Sequence, residues 1–271
     1  MFYKTPHGLI QDNRIQHHKN HTVWFLLNLI TLVIISITAI TYDIFLIKSD
    51  KIVLLILKII PMFCLISTGI SYFFLYSCHR YAVLITISFI FCLFGDILLA
   101  ISNNYYFLII GGINFIIARI FMITALSTFP YGSVCNRSKK FNTSRRVKII
   151  SGSINALILL FIIGYYEVRV TYIQLILIVS YMLIVTLQNY ISIIRIQAYN
   201  ESLFPVIIAM IGTILFGISD ILLFHSSFVK SNIIIEIISI DFYWLGSYMI
   251  AISMVRNTKS FHFEKDGMFE N

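Results

Sequence analysis

The composition of this chain excludes a soluble globular protein. Of its 271 residues, 59% are hydrophobic and only 12% are charged, whereas a soluble domain carries about 25% charged residues. The net charge of +8 at pH 7 lies mostly in the tails and in the connections between apolar blocks, which favours a membrane topology signal over a nucleic-acid site. The chain is therefore predicted to be an integral membrane protein.

Apolar blocks follow one another along the chain, each close to the roughly 20 residues that cross a bilayer as a helix. Because no block alternates apolar and polar residues as a barrel strand does, the predicted fold is an all-α bundle of about eight transmembrane helices. Two polar cytoplasmic tails, 1–22 and 257–271, are predicted to flank a transmembrane domain at 23–256. The predicted spans are Val23–Ile47, Ile52–Tyr76, Ala82–Ile101, Tyr105–Thr128, Val147–Tyr165, Val170–Tyr190, Leu203–Phe224 and Ile233–Val255.

The lysine and arginine residues predict the orientation. Fourteen of the 20 fall in the tails and connections on one side of the membrane, six of them between Arg137 and Lys148. Four fall on the other side, and Lys58 and Arg119 lie inside spans. Because lysine and arginine concentrate on the cytoplasmic side, both termini and the basic 129–146 connection are predicted to be cytoplasmic.

Spans three and seven share a short motif. Residues 95–99 read Gly-Asp-Ile-Leu-Leu and residues 219–223 read Ser-Asp-Ile-Leu-Leu, so that Asp96 and Asp220 are 124 residues apart. Since three spans separate the two helices, both cross the membrane in the same direction, which predicts two parallel four-helix halves. Chance is the alternative explanation, because isoleucine and leucine are abundant in this chain.

Asp96 and Asp220 are the leading candidates for catalysis, because a carboxylate inside hydrocarbon is costly and normally faces the bundle interior or a watery cavity. With a rise of about 1.5 Å per residue, they lie roughly 8 Å and 6 Å from the non-cytoplasmic ends of their spans. Lys58 and Asp241 reach roughly 9 Å and 12 Å from the same side, so one polar layer can hold all four side chains. The alternative is that Lys58 and a carboxylate form a purely architectural ion pair.

Other polar residues could bind a substrate. Lys58 or Arg119 could hold a phosphate by charge-assisted hydrogen bonds, although Arg119, roughly 21 Å along span four, could instead serve the cytoplasmic interface. Cysteine and histidine lack metal-type spacing, so neither a metal site nor another cofactor is predicted. The predicted substrate-binding residues are Lys58, Asn114, Arg119, Ser219, Tyr243 and Asp241.

Four motifs occur in a recognisable order. They are a Lys-x-x-Pro segment at 58–61, Gly-Asp in the segment 94–99, Ser-Asp in the segment 216–220, and a tyrosine-rich last span from Tyr243 to Ser253. In this order they resemble the YhhN-like family of multispanning lysoplasmalogenases, and the resemblance covers all eight spans. Two positions depart from the family pattern: Arg119 stands where members tend to have histidine, and Ser247 where they tend to have glutamine.

The resemblance implies an ether hydrolase of the endoplasmic reticulum membrane. Its substrate would be a lysophospholipid, the lysoplasmalogen, whose vinyl ether bond is cleaved to a fatty aldehyde and glycerophosphocholine or glycerophosphoethanolamine. Membrane lipids would be its surroundings, with no nucleic-acid partner and no cofactor. Headgroup preference and oligomeric state do not follow from the resemblance.

Two intramembrane carboxylates suit this reaction. Protonation of the vinyl ether carbon gives an oxocarbenium-like cation that water captures, and glycosidases meet a similar demand with one carboxylic acid and one carboxylate. The sequence does not show which of Asp96 and Asp220 holds the proton. A proton-coupled transporter of small molecules or lipids, with the same aspartates as a relay, is the alternative function.

The predicted orientation can be tested with inserted glycosylation acceptors. Acceptors placed at Asn103–Asn104 should be modified, because that connection is predicted to face the lumen, and acceptors within 137–146 should not be modified. Glycan addition is read as a mass shift that an endoglycosidase removes. Glycosylation within 137–146 would show that the predicted orientation is wrong.

Overall fold

The computed structural model describes residues 6–48, 51–76, 80–101, 105–127, 145–197, 203–230 and 232–254, and these residues contain helices and no strand. Each helix includes a stretch long and apolar enough to cross a membrane, which confirms the predicted all-α membrane bundle. The helices described are α1 (Pro6–Lys48), α2 (Lys51–Tyr76), α3 (Arg80–Ile101), α4 (Tyr105–Ser127), α5 (Arg145–Glu167), α6 (Tyr172–Gln197), α7 (Leu203–Phe228) and α8 (Ile233–Ile252).

The helix ends differ from the predicted spans where polar residues close an apolar block. Helix α1 begins at Pro6, inside the polar segment 1–22, whereas its apolar part is Thr22–Ile47. Helix α7 continues four residues past the predicted end at Phe224 and reaches Phe228. Polar side chains end an apolar pattern without ending the helical backbone, because a helix satisfies its own peptide groups whatever its side chains are. Residues 129–144 of the basic connection and the C-terminal tail 257–271 lie outside the described residues, and Arg145 and Arg146 begin α5.

Seven of these helices form a closed ring. Its order is α1, α2, α3, α4, α6, α7, α8 and back to α1, with a further contact of α8 on α2. Helix α5 lies outside the ring against α6, and its Tyr166 hydroxyl donates a hydrogen bond to the Ile221 carbonyl of α7 at 3.1 Å. The ring gives the bundle an interior that most of its helices can reach.

The neighbour pattern agrees with two related four-helix halves. Within each half, consecutive helices pack on one another, and the contact of α4 with α6 has its counterpart in the contact of α8 with α2. The contact of α1 with α8 has no counterpart among the helix pairs that pack most extensively. Exchange of the halves therefore preserves most of the arrangement around Asp96 and Asp220.

Small residues bring the helices beside the two aspartates close together. A Cβ atom added to Gly212 of α7 would lie 2.8 Å from the Gly246 carbonyl of α8, and one added to Gly95 of α3 would lie 2.7 Å from the Phe115 ring of α4. Only glycine allows these approaches, as is common in helix packing within membranes. The α7–α8 contact is reinforced by the Ser239 hydroxyl, which donates to the Ser219 carbonyl at 2.9 Å.

The interior of the bundle is packed unevenly along its length. Fully buried side chains occupy the half that carries the start of α3 and α7 and the end of α4 and α8. The buried side chains include Ile85, Phe89, Met122, Ala209 and Ile250. The opposite half also has buried side chains, such as Ile178 and Met182 of α6, but it contains the cavity of the candidate site.

Candidate active site

A cavity of about 540 Å³ opens in the half of the bundle where α1 joins α2, α3 joins α4, α5 joins α6 and α7 joins α8. All seven ring helices contribute to its wall, and α5 does not. Both aspartates of the shared motif line it. The polar residues of the wall are Tyr42, Lys58, Asp96, Tyr181, Ser219, Asp220, Ser226, Ser227, Glu236, Ser239 and Tyr243.

Asp96 is held by a neutral donor. The hydroxyl of Tyr243, on α8, donates a hydrogen bond to Oδ2 of Asp96 at 2.7 Å. Asp96 is 6% exposed and Tyr243 is 5% exposed. The Tyr243 ring meets the Phe115 and Phe216 rings edge to face, a favourable aromatic geometry that fixes the position of the hydroxyl.

Asp220 is held by a cation. The Nη2 of Arg119, on α4, forms an ion pair and hydrogen bond with Oδ2 of Asp220. Arg119 is 1% exposed, and its Nη1 donates to Oε1 of Gln188 on α6 at 3.0 Å. Its Nε lies 3.4 Å from the Tyr181 hydroxyl, and Nη2 also points to the Phe216 carbonyl at 3.5 Å. The guanidinium is therefore surrounded by acceptors from α6 and α7, as burial of a charge requires.

Phe216 connects the two pairs. The guanidinium carbon of Arg119 lies 3.6 Å from the centroid of the Phe216 ring, a cation–π contact. The same ring meets Tyr243 at a centroid distance of 4.9 Å and an angle of 86°. The partners of Asp220 and Asp96 thus pack on one aromatic side chain, which is fully buried.

Lys58 lines the same cavity without an ion pair. Its Nζ lies 5.9 Å from the centroid of the Tyr42 ring. Among the described residues, no carboxylate oxygen lies within 4.0 Å of the Lys58 ammonium group. The architectural pair between Lys58 and a carboxylate is therefore not formed in the described residues. An ammonium group at the wall of a cavity is available to an anionic ligand.

The structure brings together Lys58, Asp96, Ser219, Asp220 and Tyr243 as predicted wall residues. Phosphate binding and a place at the cytoplasmic interface were the two alternatives for Arg119, and its long side chain instead pairs with Asp220 in the bundle interior. Arg119 lies behind the wall.

The other two predicted residues lie outside the cavity wall. Asn114 donates to the Ile110 carbonyl of its own helix at 2.9 Å. Asp241 is half-buried and close enough to Asp43 of α1 for their charges to interact.

Several polar groups of the site were not predicted from the sequence. Gln188, fully buried, is a polar residue within an apolar span, and the rule that flagged the aspartates would have flagged it. Glu236, which accepts from the Ser226 hydroxyl at 2.7 Å, lies in the first turn of α8 and reads as a helix-end charge. Tyr42 and Tyr181 gave no signal, because tyrosine is frequent throughout this chain.

The cavity is amphipathic. The residues that α4 contributes are all without polar side chains, and α6 adds Leu177 next to them, whereas α2, α3, α7 and α8 contribute the charged groups. At Gly112 of α4, which lines the cavity, an added Cβ atom would have no neighbour within 4 Å, so there is open space beside this part of the wall. One side of the cavity can receive an apolar chain and the other a polar or charged group.

The buried ion pair makes a prediction about stability. Arg119→Gln should lower the free energy of unfolding by about 3–5 kcal/mol, because Asp220 is then buried without its cation and must either keep an unpaired charge or take up a proton. Adding Asp220→Asn should restore much of this loss, since neither charge then remains. Denaturation in detergent measures both.

Arg169→Gln is the matched control for this prediction. The Arg169 guanidinium is exposed and donates to the Tyr165 carbonyl at 2.6 Å, so its removal should change the free energy of unfolding by less than about 0.5 kcal/mol. Equal effects of Arg119→Gln and Arg169→Gln would contradict a structural role for the buried pair.

Comparison with known proteins agrees with the resemblance read from the motifs. The sequence model of the YhhN family matches residues 53–254, a range that begins in α2 and includes every residue of the two aspartate pairs. No curated protein and no solved structure gives a significant match. With most of its length matched by the family model, the chain belongs to the YhhN family.

Proposed function

We propose that this protein is a membrane-embedded lysoplasmalogenase, which hydrolyses the vinyl ether bond of a lysoplasmalogen. The observation that carries the proposal is that two buried aspartates, from helices in different halves of the bundle, line one amphipathic cavity. The YhhN family, to which the chain belongs, includes lysoplasmalogenases. The family supports the class of reaction, and the cavity supplies the chemical groups.

The shape and polarity of the cavity suit a lysophospholipid. Its volume of about 540 Å³ lies in the range of small-molecule sites, about 300–1,000 Å³. The apolar wall of α4 would hold the alkenyl chain, and Lys58 would bind the phosphate by charge-assisted hydrogen bonds. The vinyl ether, which joins chain to glycerol, would then lie between these two regions, near Asp96 and Asp220.

The two carboxyl groups would carry out acid catalysis. One donates a proton to the vinyl carbon distal to the ether oxygen, and the resulting oxocarbenium ion is stabilised by the negative charge of the other. Water adds to the carbon next to the oxygen and gives a hemiacetal. The hemiacetal collapses to a fatty aldehyde and the free glycerol hydroxyl, so that the sum is one vinyl ether and one water consumed.

A proton-coupled transporter would need the same buried acids and, in addition, a path to the other side of the membrane. The cavity wall is built from one half of each ring helix, and fully buried side chains such as Phe89 and Met122 fill the bundle beyond it. This arrangement favours a reaction site that opens to one side over a transport path.

The proposal predicts that Asp96→Asn and Asp220→Asn each lower hydrolysis by orders of magnitude. Asparagine keeps the size of aspartate but can neither donate an acidic proton nor carry the charge, and each contribution is worth roughly 100-fold or more. Aldehyde release from an alkenyl lysophospholipid, per folded molecule in detergent, measures the loss. The saturated alkyl ether analogue should not react, because it cannot form the cation by protonation at carbon.

Asp43→Asn is the matched control for these variants. Asp43 is an aspartate of α1 near the same end of the bundle, and it does not line the cavity. Its replacement should leave most of the activity. Near-normal turnover by folded Asp96→Asn or Asp220→Asn protein would refute the mechanism, and absence of aldehyde release by the unsubstituted protein would refute the function.

The apolar wall predicts a second effect on activity. Gly112→Leu should place a side chain in the part of the cavity assigned to the alkenyl chain and lower kcat/KM for a long-chain substrate roughly 10-fold or more. Gly164→Leu is the control, because a Cβ atom at Gly164 of α5 also has no neighbour within 4 Å and α5 takes no part in the cavity. Equal kinetics of the two variants would place the chain elsewhere.

A further inference from the structure

The partners of the two aspartates are separated by the same number of residues as the aspartates themselves, but they differ in chemistry. Adding the 124-residue offset of Asp96 and Asp220 to Arg119 gives Tyr243. Tyr243 of the second half donates to Asp96 of the first, and Arg119 of the first half pairs with Asp220 of the second. Equivalent positions therefore supply a neutral hydroxyl to one carboxyl and a permanent cation to the other.

The partner of Asp220 requires a negative charge. An arginine guanidinium does not lose its proton in proteins, and Arg119 is 1% exposed. Its other contacts, with Gln188, Tyr181 and the Phe216 carbonyl, are with neutral groups. A neutral Asp220 would leave the guanidinium as an uncompensated buried charge, which is strongly destabilising.

The partner of Asp96 makes no such demand. Tyr243 donates to Oδ2, and a neutral carboxyl can accept this bond through one oxygen while it carries a proton on the other. Among the described residues no cation lies within 4.0 Å of Asp96. Lys58 lines the same cavity and forms no ion pair with Asp96.

We infer that Asp96 is the proton donor and that Arg119 is a positioning residue that holds Asp220 as the permanent anion of the site. This inference rests on the proposed hydrolysis. The proton of Asp96 passes to the vinyl carbon as the π electrons form the new C–H bond, and the charged Asp220 stabilises the cation. Water attacks the cation and returns a proton to Asp96.

The same residue completes the cycle. Asp96 protonates the glycerol oxygen as its bond to the hemiacetal carbon breaks, and it takes up the proton of the hemiacetal hydroxyl as the aldehyde forms. Asp220 stays ionised throughout, because its bond to Arg119 makes it a weak base. The side chain at position 119 thus sets the charge of the second aspartate.

Infrared spectroscopy of the full chain in lipid vesicles, without substrate, tests which aspartate carries the proton. The spectrum of each variant is subtracted from that of the unsubstituted protein. The C=O stretch of a neutral carboxyl is separate from the bands of a carboxylate. Asp96→Asn should lose one neutral-carboxyl band, and Asp96→Glu should shift it. Asp220→Asn should keep it. Loss of the band with Asp220→Asn, with both variants or with neither would overturn the assignment.

The role of Arg119 has its own spectroscopic readout. Arg119→Gln should add a second neutral-carboxyl band, because Asp220 is then free to take up a proton, and further replacement by Asp220→Asn should remove that band. Arg119→Lys, which keeps the positive charge, should not add it. A purely structural Arg119 would change stability without changing the bands, and that outcome would overturn its role.

These measurements are independent of turnover. If the band belongs to Asp96 and no aldehyde is released, the proposed function fails while the proton assignment holds. If aldehyde is released and the band belongs to Asp220, the division of roles fails while the function holds. Should Arg119→Gln not fold, the Asp96→Asn spectrum still decides which carboxyl carries the proton.

Discussion

The structure depends on a guanidinium that is buried inside the bundle. Arg119 lies in the interior of an apolar bundle, and its charge must be met by groups from other helices. Asp220 supplies the opposite charge from α7 and Gln188 an amide oxygen from α6. The pair therefore fixes how three helices of the ring meet, and the same carboxylate that compensates Arg119 lines the cavity. Asp220 thus has a structural role and, in the proposed mechanism, a chemical role. Only variants that change its charge without disrupting the fold can separate the two.

The bundle and its polar layer were predictable because the bilayer imposes simple constraints. Apolar blocks of sufficient length have to be helices, and an aspartate within such a block has to face inward. Those two rules correctly indicated the eight spans. Of the four side chains assigned to one polar layer, Lys58, Asp96 and Asp220 line the cavity and Asp241 does not. The position of Arg119 was not predictable by the same counting of helical rise. Its side chain is long, α7 continues to Phe228, and the depth of a Cα atom does not give the depth of a guanidinium.

Pairing across helices was also beyond the sequence. Lys58 was a plausible ion-pair partner by depth, but it faces the cavity beside Tyr42, and Arg119 takes the carboxylate instead. Periodicity gives the face of a helix and leaves open which neighbour that face meets. The repeat extends beyond the two aspartates, because the same 124-residue offset relates Arg119 to Tyr243. Arginine and tyrosine differ so much in chemistry that a sequence alignment would not indicate their equivalence. Their equivalence becomes visible only through the carboxyl groups that they hold.

The confinement of the cavity to one half of the bundle has a consequence for lipid traffic. The wall residues belong to the same half of their helices, so under the proposed hydrolysis the leaflet that surrounds this half would be the direct source of the lipid. Whichever way the protein is inserted, the two leaflets would not be equivalent as sources of substrate, and molecules in the opposite leaflet would first have to be flipped. The water-soluble product would leave on the same side from which the lipid came, while the aldehyde would remain in that leaflet. If vinyl ether lipids were lost equally from both leaflets of such a membrane, the loss from the opposite leaflet would measure the rate at which a scramblase moves the lipid, because hydrolysis would follow that step.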